Sequence, residues 1–81
     1  MNSVPCPENV ARYLLKKGWR RIEESEHSII FQRDVEREVY EVYLPLQAEA
    51  SEYEKHLETL VYEIEIIEEC DGSVILRDML L

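Results

Sequence analysis

Residues 51–70 constrain this chain more than any other stretch. Tyr53, Leu57, Leu60, Val61, Ile64 and Ile67 recur at spacings of three and four, which gathers them on one side of a 3.6-residue helix. Glu52, Glu54, Glu58, Glu63, Glu65, Glu68 and Glu69 fall largely outside that stripe. An apolar side of this length needs a surface to cover it, and the residues before it read as a small sheet built to receive it. Ser51 with Glu54 reads as a capping box that opens the helix. Asp71-Gly72 reads as its stop, with Gly72 in a left-handed C-terminal position.

The sheet is expected to follow a short first helix. Over Ser3 to Lys17, Pro5 and Pro7 suit a lead-in turn and first helical positions, where a missing N–H costs little. Val10, Ala11, Leu14 and Leu15 make the apolar rows with Tyr13 at their flank, Lys16 and Lys17 suit the negative helix end, and Gly18 stops it. Trp19 to Ser25 is predicted as a strand with Trp19 and Ile22 as its main apolar residues, followed by a turn at Glu26-His27. Ser28 to Arg33 is a second strand, with Ile29 and Phe31 on one face and Ile30 on the other, and Asp34-Val35-Glu36 is the next reversal.

Arg37 to Leu44 has the clearest alternation, Tyr40, Val42 and Leu44 against Val39, Glu41 and Tyr43, and Pro45 ends it by removing a ladder donor. Gln47 to Ala50 then connects to the long helix. Ser73 is expected to cap a short last helix over Val74 to Leu80, with a short strand as the alternative. Short links make neighbouring strands antiparallel. The predicted fold is therefore α+β, a single domain over residues 1–81. It is a two-layer sandwich in α-β-β-β-α order, with a three-stranded antiparallel sheet covered by helices and a short C-terminal helix.

Charge narrows the range of partners. The net charge of −9 is unevenly spread. Residues 1–37 hold seven Lys/Arg against six acids, a net +1, whereas residues 38–81 hold two against twelve, a net −10. Such a surface repels polyanions and favours a basic or neutral protein partner. No run of apolar residues approaches the roughly 18–20 that a membrane span needs. The N-terminus lacks a basic region and an apolar core of the secretory type, so a cytoplasmic location is expected. Two cysteines without motif spacing, Cys6 and Cys70, are expected to be free thiols that act as small hydrophobes.

No constellation specifies a reaction. His27 falls in a predicted turn and His56 on the outer side of the long helix, and neither shares a metal-ligand spacing with Cys6 or Cys70. No metal or cofactor is expected, and with two glycines a backbone cradle for a nucleotide is nearly excluded. Glu65, Glu68, Glu69 and Asp71 cluster within about one turn. They are read as a solvated acidic face, although a hard cation or a basic partner are the functional alternatives. They also oppose the macrodipole at a helix C-terminus, at a few tenths of a kcal/mol each, and Arg77 or the basic residues of the first helix are the expected compensation. Lys16-Lys17-Gly18-Trp19-Arg20-Arg21 is a basic cluster with an aromatic, the pattern of nucleic-acid contact. In an acidic domain Trp19 is instead expected to pack under the helix–sheet corner, and nucleic acid is a disfavoured partner.

Two resemblances bear on these residues. Gly18-Trp19 after the first helix and Ser28-Ile29-Ile30-Phe31 on the second strand resemble small bacterial mRNA-cleaving toxins with a double-stranded-RNA-binding-like fold. That resemblance implies the fold, and a catalytic histidine in a Gly-Ser-His segment. Alignment on Phe31 puts Ser28 rather than His27 near that position, with Glu26 or Ser25 where the glycine stands. A second pattern covers most of the chain: Gly18-Trp19, Glu41-Val42-Tyr43-Leu44-Pro45-Leu46, Tyr53 and Leu57, Asp71-Gly72-Ser73 with Val74, and Asp78-Met79-Leu80. It resembles a class of short bacterial proteins with no established activity, and implies a helical C-terminus. The leading expectation is a non-catalytic protein-interaction domain of a bacterial system. It would bind a protein partner or a second copy through the acidic face of the long helix or an edge strand. The alternative is an RNA-directed toxin relative with His27 as its candidate base.

Overall fold

Pro7 opens α1 (Pro7–Lys16), where its ring presets the helical φ and its missing N–H forfeits no intrahelical bond. The computed structural model describes residues 4–46 and 49–81. After α1 come β1 (Arg20–Glu24), β2 (Ser28–Val35), β3 (Glu38–Pro45), α2 (Ala50–Glu68) and α3 (Gly72–Leu80). The strands form an antiparallel meander in the order β1-β2-β3. This is the expected α+β arrangement, and residues 74–80 are helical. The predicted lead-in at Ser3 and the connector residues Gln47 and Ala48 lie outside the described residues.

Gly18 ends α1 as its sequence position implied. Its φ is +94°, the left-handed region in which a Cβ is strained. The Gly18 N–H donates to the Leu15 carbonyl and the Trp19 N–H reaches back to Leu14 at 3.0 Å, the double bond of a Schellman ending. The turn thereby drops Trp19, only 2% exposed, into the core beside Leu14. No group among the described residues accepts a bond from its buried indole N–H.

The register of the sheet sorts its side chains onto two faces. Ile29 opposes Leu44 and Phe31 opposes Val42, all buried under the helices. On the other face Ile30 opposes Tyr43 and Gln32 opposes Glu41. There Arg20 donates to Gln32 at 2.9 Å, and Gln32 donates to Glu41 at 3.2 Å, a polar ladder across all three strands. Ile22 was expected to be a main apolar residue of the first strand. It sits instead at an irregularity between Arg21 and Glu23 and is 46% exposed, because the slipped register turns it away from the core. The second reversal also shifts: β2 runs to Val35, and the two-residue turn is Glu36-Arg37, with Glu36 at φ +59°. Pairing of Asp34 with Val39 and Val35 with Glu38 extends the ladder through residues whose polarity had suggested a loop.

One core lies between the inner sheet face and all three helices. The α2 stripe behaves as its spacing requires: Leu57, Leu60, Val61 and Ile64 are buried, and Tyr53 and Ile67 pack at the margin. α3 contributes Ile75 and Met79, both fully buried, and packs against both α1 and α2. In α1 the buried residues are Val10, Tyr13 and Leu14, while Leu15, expected in the core, is 46% exposed. The helix is rotated toward Tyr13, whose hydroxyl donates to Glu68 at 3.3 Å and whose ring lies under Lys17 Nζ at 5.7 Å.

The expected caps of α2 and α3 are displaced. α2 starts at Ala50 with Glu49 as its N-cap, so Ser51 stands two residues too far inside to form the capping box with Glu54. Asp71, not Ser73, caps α3: its Oδ1 accepts the Ser73 N–H at 2.8 Å and the Ser73 hydroxyl at 2.7 Å. These bonds hold the Asp71 carboxyl below its ordinary pKa, so the cap is present at neutral pH and weakens as pH falls through that lowered value. Gly72 is the first residue of α3 rather than the stop of α2. The left-handed residue that ends α2 is Glu69, at φ 52° and ψ 46°.

Glu69→Gly is therefore expected to stabilise the fold by about 1 kcal/mol, since glycine occupies this region without a Cβ clash. Removing a carboxylate from the negative helix end adds to the gain. Thermal unfolding followed by circular dichroism should rise by about 4–8 °C. No change would mean that Glu69 makes a compensating contact.

Candidate functional site

Four of the apolar side chains that the core leaves exposed, Val4, Tyr62, Leu76 and Leu80, converge in one place. Leu57 and Val61 of α2 form the floor of an open groove of ≈ 780 Å³, walled by Tyr62 on α2 and by Leu76 and Leu80 on α3. Val4 and Pro5 close one end and Gly72 the other, and Glu54, Glu58 and Glu65 stand along it. Val4, Tyr62, Leu76 and Leu80 are 36–62% exposed. Single exposed apolar side chains are ordinary, but a contiguous patch rimmed by polar groups is characteristic of a binding surface.

Tyr53 anchors the end formed by Val4 and Pro5. Its hydroxyl donates to the Pro5 carbonyl at 2.6 Å and fastens the N-terminal segment onto α2. Burial, with a smaller contribution from Cys6, pushes its phenol from the ordinary 10 up to about 12. The folded chain thus keeps a proton that the unfolded chain releases. Its stabilisation is complete below about pH 10 and is lost between there and about pH 12. Tyr53→Phe should cost about 1 kcal/mol at neutral pH and flatten the alkaline fall in stability across that window. Urea unfolding at a series of pH values checks both, and an unchanged slope would exclude this role.

The sequence cluster Glu65, Glu68, Glu69 and Asp71 is divided among different tasks. Glu65 Oε2 accepts the Gly72 N–H at 3.2 Å, and Asp71 caps α3. Glu68 turns toward the core edge, where Arg33 Nη1 lies 2.8 Å from Oε2 and Tyr13 donates to Oε1. The cation that balances α2's negative end is therefore Arg33 of β2, not Arg77 or a residue of α1, because the β2 register aims it under Glu68. Among the described residues, no three of His, Cys, Asp and Glu are grouped so as to hold a metal ion.

The other sequence candidates are dispersed. His27 is exposed in the β1–β2 connection; its N–H donates to Ser25 Oγ at 3.2 Å and its carbonyl accepts the Leu46 N–H at 2.8 Å. His56 is exposed on α2 with its ring at the edge of Tyr43, centroids 5.4 Å apart. Cys6 and Cys70 are free; Cys70 packs against the core as expected, whereas Cys6 is exposed at the start of α1 and does not act as a core hydrophobe. In the basic cluster, Arg20 and Arg21 lie on β1 while Trp19 is buried between them and α1.

The sheet edges differ in availability. β1 is exposed along its length, but it is short, bulged and charged, the devices that discourage strand pairing. β3 has α2 packed against it. The groove is not visible in the sequence because its walls come from three separated segments. One signal was present: α3 carries Val74, Ile75, Leu76, Met79 and Leu80, more apolar positions than one helix face against one partner uses.

Among the described residues no helix is long and apolar enough to cross a membrane. No protein-family model matches this chain, and no curated protein or solved structure is significantly similar to it.

Proposed function

We propose that this chain is a non-catalytic protein-interaction domain that receives its partner in the groove between α2 and α3. The observation that carries the reading is the convergence of Val4, Tyr62, Leu76 and Leu80, all solvent-exposed, on one continuous apolar trough. Leaving these side chains in water forgoes roughly 25 cal/mol for each Å² that a partner would cover. The RNA-directed alternative with His27 as base gains no support from the basic cluster, since Trp19 lies in the core and presents no ring for base stacking.

The test is a panel of synthetic amphipathic peptides sharing one apolar face, with the polar face basic, neutral or acidic, titrated into the isotopically labelled chain. At least one is expected to shift the amides of Leu57, Val61, Leu76 and Leu80. Leu76→Ser with Leu80→Ser should weaken that peptide by at least about tenfold while circular dichroism stays native. A panel that leaves the groove amides unmoved withdraws the reading. RNA cleavage by the wild type that disappears in His27→Ala would replace it.

A further inference from the structure

Three properties of the groove define the chemistry of what lies in it. The first is the sign of its rim. Its charged lining residues are Glu54, Glu58 and Glu65, and neither Lys55 on α2 nor Arg77 on α3 lines it. Glu54 and Glu58 have no ion-pair partner among the described residues, whereas Glu65 commits Oε2 to the Gly72 N–H. Two carboxylates and part of a third therefore face the trough without a counter-charge from their own chain.

The second property is length. Glu54, Glu58 and Glu65 are spaced four and then seven residues apart on α2. At 1.5 Å per residue they span roughly 16 Å, or about three helical turns, along one edge. The third property is the lack of backbone to pair with. The long walls are two helices whose peptide groups are bonded internally, so the groove offers side chains and no strand edge. An extended peptide would leave its own N–H and C=O groups unpaired against that apolar surface, whereas a helix brings them already satisfied.

We infer that the occupant is a basic amphipathic helix of about three turns carried by a partner protein. Its apolar side chains enter between Leu57, Val61, Leu76 and Leu80, and its lysines or arginines lie along the Glu54–Glu58–Glu65 edge. This rests on the reading of the groove as the docking surface and adds the chemical class of the ligand. Exposed charges at a rim contribute mainly to encounter rate and discrimination, so both should respond to salt.

The peptide panel separates the two claims. In the wild-type chain the lysine-faced peptide is expected to bind about tenfold more tightly than the glutamine-faced one, and the glutamate-faced one more weakly still. Glu54→Gln with Glu58→Gln should remove about tenfold from the lysine peptide's affinity and leave the glutamine peptide unchanged. Both residues are exposed, so the fold is not at stake. If the glutamine or glutamate peptide binds the groove as well as the lysine peptide, the basic class is overturned and the docking surface stands. If no peptide moves the groove amides, both claims fall. Light scattering on the chain alone supplies the last arm: a dimer that Leu80→Ser dissociates would make a second copy the occupant and overturn the inference.

Discussion

Phe31→Ala is expected to lower the stability of this domain by about 3–5 kcal/mol, the largest effect of any single substitution considered. Phe31 is fully buried on the central strand, pairs with Arg21 on one side and Val42 on the other, and faces the helical layer. Its removal forfeits the transfer free energy of the ring and leaves a cavity that neighbouring strands, held on both sides, cannot close. A domain of 81 residues has roughly 4–12 kcal/mol to lose, so this change takes away a large share. Urea unfolding should show a lower midpoint with an unchanged slope, provided the native state remains intact at zero denaturant. A loss below about 1 kcal/mol would show that the ring is not enclosed as described.

Arg33→Met carries the second largest effect, about 2–3 kcal/mol, for an electrostatic reason. The Glu68 side chain is 12% exposed and Arg33 30%, and they meet at 2.8 Å. Methionine keeps much of the packing of the arginine stem but leaves the carboxylate with the Tyr13 hydroxyl at 3.3 Å as its remaining side-chain partner. The cost comes mainly from stranding a desolvated charge, so it should respond only weakly to salt. Arg33→Met with Glu68→Leu is expected to recover most of the loss, because no charge then remains to be buried.

The same pair has an optical readout. Burial, and then the neighbouring Glu68 carboxylate, raise the Tyr13 phenol above its ordinary range. Glu68→Leu should therefore bring Tyr13 part of the way down in an ultraviolet titration, with the burial contribution remaining. A double variant as unstable as Arg33→Met would show that the pair is not the source of the effect.

Some of this arrangement is legible by eye from the chain. Leu57, Leu60, Val61 and Ile64 are legible as core because a helix repeats itself every three or four residues. Tyr40, Val42 and Leu44 share one face because a strand repeats every two. Gly18 is legible as a stop because a left-handed residue is needed where a helix turns back, and glycine supplies it without strain. Glu69 and Glu36 adopt that same region without being glycine, so no residue type announced them. Sequence pattern therefore points to Gly72 as the end of α2 and to a hairpin turn two residues before the observed one.

What the sequence determined by itself was periodicity, and through it the elements, their order and the buried sides of β2, β3 and α2; such information is carried by neighbours within one or two turns. The tertiary structure alone decided the rotation of α1, which exposes Leu15 and seats Tyr13 against Glu68. It alone chose Arg33, 35 residues away from Glu68, as the counter-charge. It alone assembled the groove, because Pro5, Val61 and Leu80 become neighbours only after α3 has packed between α1 and α2. Contacts between distant segments depend on how whole helices are set against one sheet, and no local spacing encodes that choice.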